Sequence, residues 1–199
     1  MPVTRLLPSA VAAGAVVTTA QLRAHGVLVI ELGGGSTSYV LYRAGAAERA
    51  GTIPCGGNHL TKDLALGLRL TQEQAETVKL RFGHGTWTTH DLNQKVWLKG
   101  DYSIGDRQFA LTDIERITSA SVASLFAAVK AQLGKRFLSD GLPAGIVLTG
   151  GASQLPGIAD AAEAVFGLVT RLGAPPRSFV GELRDPSFNA VLGLLHADG

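Results

Sequence analysis

The chain has 199 residues, 46% of them hydrophobic, which is enough apolar material for one large core or two small ones. Charged residues make up 17%, and 18 basic against 16 acidic side chains leave a formal charge of +2 with no run of Lys or Arg, which argues against a nucleic-acid-tracking surface. Cys55 is the single cysteine, so no intrachain disulfide can form, and the five histidines show no HExxH or paired CxxC spacing of a zinc site.

Residues 8–20, PSAVAAGAVVTTA, imitate a secretory signal but are too short to span a bilayer; the reading preferred is a packed helix starting at Pro8, where a missing N–H costs nothing. VLVIEL (27–32) is a continuous apolar run and predicts a strand buried on both faces. Three glycines follow, and YVLYR (39–43) then resumes β-type residues. The order strand, glycine loop, strand excludes a dinucleotide fingerprint or a Walker A loop, which both need a helix after their glycines. PCGGNHLTKDLALGL (54–68) reads as a turn passing into a helix. A second helix is predicted after Thr71, which forms a capping box with Gln74; it ends at Gly83 and has Ala75, Val78 and Phe82 on one face. KVWLK (95–99) and RQFAL (107–111) predict a hairpin around Gly105 and Asp106.

The longest helix is expected next, with Thr112 and Glu115 as a capping box, Gly134 as its end, and a core stripe of Val122, Leu125, Phe126, Val129 and Leu133. GIVLTGGASQLPGIADAAEAVFG (145–167) predicts a buried strand, a glycine pair, and a helix with Asp160 and Glu163 toward its positive N-terminal half. LVTRLG (168–173) adds a strand. DPSFNAVLGLLHADG (185–199) predicts a helix with Pro186 in its first turn and Phe188, Val191, Leu192 and Leu195 on one side. Interleaved strands and helices point to α/β layering.

Several of these residues can do chemistry. Gly33, Gly34 and Gly35 let backbone amides approach an anion closely, with Ser36 and Thr37 adding hydroxyl donors. Glu31, at the strand end, is a candidate to hold a hydrated Mg²⁺ or polarise a water; the competing reading of the loop is a tight hairpin beside a solvated carboxylate. Gly150 and Gly151, with Ser153 and Gln154 nearby, form either a platform for a flat base or an ordinary turn. Glu76 and Lys79 share one helix face and either bracket a ribose or form a surface ion pair. Cys55 reads as a small buried residue, and His84, His90 and Asp91 as polar loop groups.

The succession IELGGGSTS, GGNHLTKDLA, AETVKLRFG, IVLTGGASQLPG and FNAVLGLLH resembles the actin-like ATPase superfamily and, within it, the FtsA cell-division family, over nearly the whole chain. The resemblance implies an actin-like, ribonuclease H-like α/β fold of which this chain is the second half. Residues 1–22 would be a connecting helix, 23–63 and 119–185 a nucleotide-binding subdomain, 64–118 a small inserted α+β subdomain, and 186–199 a returning helix. It also implies an ATP or ADP site with Mg²⁺, in which Gly33, Gly34, Gly35, Ser36 and Thr37 match the second phosphate motif. Glu76 and Lys79 match the ribose pair, and Gly150, Gly151 and Ser153 the adenosine motif. By the same resemblance the partners are the C-terminal tail of FtsZ, received by the inserted subdomain, and a first domain or a second copy, with the protein at the cytoplasmic face of the membrane and no membrane helix in these residues. Two departures stand out: the family has Asp where Glu31 stands, and nothing in the chain matches the first phosphate loop, so hydrolysis by these residues alone is not expected. The fold and glycine loops also resemble the PilM class of type IV pilus scaffolds; a complete small kinase or phosphatase and a secreted binding protein are further alternatives.

Overall fold

The computed structural model describes residues 6–87, 94–99, 106–134, 141–176 and 179–196. After helices α1 (Ser9–Val17) and α2 (Ala20–His25) come strands β1 (Val27–Leu32), β2 (Thr37–Arg43) and β3 (Ala46–Ile53). Helices α3 (Gly57–Leu68) and α4 (Gln72–Phe82) lead to the hairpin β4 (Lys95–Leu98) and β5 (Arg107–Ala110). Then follow α5 (Leu111–Leu133), β6 (Ile146–Thr149), α6 (Ile158–Phe166), β7 (Thr170–Leu172) and α7 (Asn189–His196).

β1 lies at the centre of a five-stranded sheet of order β3-β2-β1-β6-β7, antiparallel to β2 and parallel to β6. Because strand side chains alternate between faces, Leu28, Ile30 and Leu32 enter the cluster made with α5 and α6, while Val27 and Val29 face α1. Both faces are therefore covered, which is why 27–32 reads as an unbroken apolar run. A second apolar cluster joins Leu64, Leu68, Ala75, Val78, Val96, Leu111 and Ile114 from α3, α4, the β4–β5 hairpin and the start of α5. No helix among the described residues is long and apolar enough to cross a membrane.

Several expectations hold. Pro8 caps α1, and Thr71 and Gln74 form the reciprocal capping box of α4. The five stripe residues of α5 are buried, and Gly134 ends that helix. Gly105 and the residues His90 and Asp91 lie outside the described residues, whereas the β4–β5 pairing itself is present.

Other features differ from the expectations or fall where none was made. β3 is an edge strand whose sequence, AAERAGTI, gives no apolar alternation, and it exists because it pairs with β2. Gly51 is required there: a Cβ would stand 2.5 Å from the Tyr39 hydroxyl. The Thr112–Glu115 capping box does not form. Ala110 ends β5, the Leu111 amide donates to Gln94 O at 2.9 Å, and the chain turns straight into α5, which puts Thr112 inside the first turn and Glu115 in the interior. The Gly150–Gly151 pair opens into a 3-10 turn, Gly151–Gln154, before α6 begins. On α7 the buried residues are Asn189, Leu192 and Gly193, so Phe188, Val191 and Leu195 lie on the surface. Gly193 sets that packing, since a Cβ would fall 1.8 Å from Ala12 O of α1.

Candidate functional site

β1 and β6 are parallel neighbours, so the glycine segments that follow them leave the sheet on the same edge, where open α/β sheets receive ligands. Between them and α3–α4 lies an open cleft of about 540 Å³. Its lining includes Gly34, Gly57, Asn58, Glu76, Lys79, Gly151 and Gln154, with Leu60, Leu80, Ala152, Leu155 and Pro156 as apolar wall.

The glycine loop closes as a tight hairpin in which the Gly33 N–H donates to Ser36 O at 3.0 Å. None of Gly33, Gly34 and Gly35 takes a left-handed φ, so close approach, and not backbone freedom, is what glycine supplies here. The carbonyls of Gly33 and Gly34 accept the N–H groups of Gly57 (2.9 Å) and Asn58 (2.8 Å), the first amides of α3. Gly56 makes this contact possible, because a Cβ there would stand 2.4 Å from Gly33 O. The amides of Gly34 and Gly35, both exposed, donate to no acceptor among the described residues and are open to solvent or to an anion. Ser36 is exposed beside them; Thr37 is fully buried in β2, with a hydroxyl that has no partner among the described residues. Glu31 is half-buried, across from Ser38 and Thr149 in the neighbouring strands, and does not line the cleft.

At the other glycine segment, Gly150 has φ +88°, and a Cβ would lie 2.5 Å from Leu32 O. Ser153 is buried and donates to Gly150 O at 2.7 Å, so its hydroxyl braces the turn. Gln154 lines the cleft and donates to the Asp185 carboxylate at 3.1 and 3.3 Å. The Ser187 hydroxyl and amide, with Gln154, hold the Asp185 carboxyl below its ordinary range.

Glu76 and Lys79 meet at 2.7 Å, one helical turn apart on α4. Lys79 Nζ also donates to Thr61 Oγ1 at 2.9 Å and to Gly57 O at 3.3 Å, and the Thr61 hydroxyl hydrogen-bonds Glu76 Oε2. Burial pushes the Glu76 carboxyl up, but the hydrogen bonds from Lys79 and Thr61 and the lysine charge outweigh it and leave the group lowered. Asn58, Thr61 and Asp185 escape sequence reasoning, since only tertiary packing brings them to the other groups; a spacing of one turn between Gly57 and Thr61 was the available hint. Among the described residues no three His, Cys, Asp or Glu side chains converge as a metal cluster.

A mixed sheet covered on both faces, with glycine turns after two adjacent parallel strands and a helix-borne Glu–Lys pair across the cleft, places the chain in the actin-fold class. Its backbone is similar to that of MreB5 of Spiroplasma citri crystallised with ADP, with a TM-score of 0.72 at 19% identity over 96% of this chain and 58% of that one. It is also similar to the PilM–PilN type IV pilus biogenesis complex, with a TM-score of 0.63 at 23% identity over 89% of this chain and 47% of that one. At such identities the likeness establishes the fold alone. The sequence profile of the family described as "Cell division protein FtsA" matches residues 28–193, and the chain belongs to that family. It is 38% identical to Cell division protein FtsA of Neisseria meningitidis serogroup B, over 94% of this chain and 46% of the relative. For that of Bacillus subtilis the figure is 32%, over 92% and 41%. The chain thus spans about half the length of the curated relatives it matches.

Proposed function

We propose that these residues form the nucleotide-holding half of an FtsA-family protein, and that the complete protein links the FtsZ ring to the cytoplasmic face of the cell membrane. The observation that carries this reading is the convergence on one cleft of three chemically distinct parts. These are the unspent amides of the Gly33–Gly35 loop, the Glu76 carboxylate, and the apolar wall beside Gly151. They suit in turn the phosphates, the ribose hydroxyls and the base of ATP or ADP. The amides of Gly34 and Gly35 bind the phosphates, with Ser36 at the loop end. Gly150 and Ser153 shape the turn that puts Gly151 and Ala152 beneath the base.

Mg²⁺, where present, neutralises phosphate charge, and its ligands would be chiefly phosphate and water. Glu31 stands at the end of β1 beside the glycine loop but outside the lining of the cleft, so it would reach that ion or a hydrolytic water only across the strand end, and a carboxylate one methylene longer than the family's Asp would shift that water and weaken hydrolysis. The FtsZ tail is received on the 64–118 region built around the second apolar cluster, the inserted subdomain of this reading. The family match favours this role over a pilus scaffold, whose resemblance is one of backbone.

Titration calorimetry with ATP and ADP on wild type and Glu76→Lys tests the site, with melting curves to confirm folding. Losing a charged acceptor and leaving Lys79 opposite a like charge lowers affinity by roughly tenfold to a hundredfold. Equal affinities would remove the ribose assignment.

A further inference from the structure

A lysine ammonium has three donors, and those of Lys79 are matched by three acceptors: Glu76 Oε2, Thr61 Oγ1 and Gly57 O. The Lys79 side chain is only 11% exposed, so no free N–H faces the cleft. Glu76 is differently placed. Its side chain is 42% exposed, Oε2 takes both Lys79 and Thr61, and Oε1 has no partner among the described residues. Thr61 is the hub: 1% exposed, one turn into α3, with Oγ1 in hydrogen-bond range of Gly57 O, Glu76 and Lys79 together.

We infer that Thr61 is a positioning residue: it and Lys79 clamp Glu76 Oε2 so that Oε1 alone is presented to a vicinal diol. A carboxylate held at one oxygen by two donors on two helices cannot swing about its last torsion, and a fixed acceptor discriminates a hydroxyl from a hydrogen far better than a mobile one. The inference rests on the nucleotide reading of the cleft, and it changes what Lys79 is for: the lysine orients an acceptor and ties α4 to the start of α3.

The test compares ATP with 2′,3′-dideoxy-ATP by titration calorimetry on wild type, Thr61→Val, Thr61→Ser and Lys79→Met, each with a melting curve. Wild type should prefer ATP. Thr61→Val, which keeps the shape and removes the hydroxyl, should reduce that preference roughly three- to tenfold with little change for the dideoxy ligand, and Thr61→Ser should restore it. Lys79→Met should also lower the preference while sparing dideoxy affinity, and it keeps the test decisive if Thr61→Val fails to fold. An unchanged preference in folded Thr61→Val, or an equal loss of both ligands in Lys79→Met, would overturn the inference while leaving the nucleotide site standing. Failure of wild type to bind either ligand would overturn the site and the inference with it.

Discussion

Gly56→Ala and Gly35→Ala differ by one methyl group added near the same loop, yet the structure assigns them very different consequences. At Gly56 the new Cβ would stand 2.4 Å from Gly33 O and 2.7 Å from Gly34 O, both backbone atoms of a closed hairpin. Gly56 is in an extended conformation, so the conflict is steric and carries no left-handed strain. Relieving it means moving the hairpin off α3 and breaking the bonds from Gly57 N (2.9 Å) and Asn58 N (2.8 Å). Two backbone hydrogen bonds at about 1 kcal/mol each, with about 1 kcal/mol for overpacking, give a loss of about 3 kcal/mol. At about 2–4 °C per kcal/mol for a chain of this size, the melting temperature should fall by roughly 6–12 °C. At Gly35 a Cβ meets nothing within 4 Å and φ is not left-handed, so the cost should stay within about 0.5 kcal/mol. Thermal melts followed by circular dichroism, with ADP titration of both variants, measure the difference. Similar shifts for the two would refute the claim that the hairpin is docked on α3 by its carbonyls.

Three further outcomes are expected. The Glu76 carboxyl is lowered from its ordinary 4.5, so its stabilisation is present above that value and is lost as pH falls through the lower folded value. The stability gap between wild type and Glu76→Gln should therefore narrow in denaturant titrations as the pH drops below 4.5, and a gap constant down to acid pH would contradict the assignment. Phe188, Val191, Leu194 and Leu195 form an exposed apolar surface at α7, so wild type should self-associate in light scattering and bind apolar dyes, and Leu195→Glu should reduce both; identical behaviour of the two would count against that face. Asn189 is fully buried and donates to Thr149 Oγ1 at 2.8 Å, so Asn189→Ala should lose about 1–3 kcal/mol by chemical denaturation. A loss near zero would mean that bond is not made in solution.

What the sequence reveals depends on whether a residue's environment is local. β1 is legible because burial on two faces writes itself as an unbroken apolar run, and α4 because its capping box closes within four residues. β3 is illegible, since an exposed edge strand needs only a partner's backbone and its own Ala, Glu and Arg carry no strand preference. Thr112 and Glu115 have the spacing of a cap, but the hairpin before them had already taken up the backbone amide at which α5 begins. At the site, the residue types at 33–37, 76, 79 and 150–153 stand out by motif, whereas the distinction between an outward Ser36 and an inward Thr37 comes from strand phase. Gly56 reads as one more turn glycine, and its requirement comes from a carbonyl more than twenty positions away.

The pairing of β1 with β6 has an engineering consequence. Glu31 stands opposite Thr149, so the two glycine segments start from adjacent strands held about 4.8 Å apart by the ladder. Sliding one strand by a single residue would move its loop by about 3.3 Å and turn every core side chain toward the wrong face, a change no point mutation could repair. The spacing between the two loops is thus a fixed ruler, tolerant of neither insertion nor deletion within 27–32 or 146–149. A library meant to recognise a larger or smaller ligand should leave those strands and the hydrogen-bonded loop backbones untouched and vary composition at Gly35 and Ser36, where added side-chain atoms meet open space or solvent.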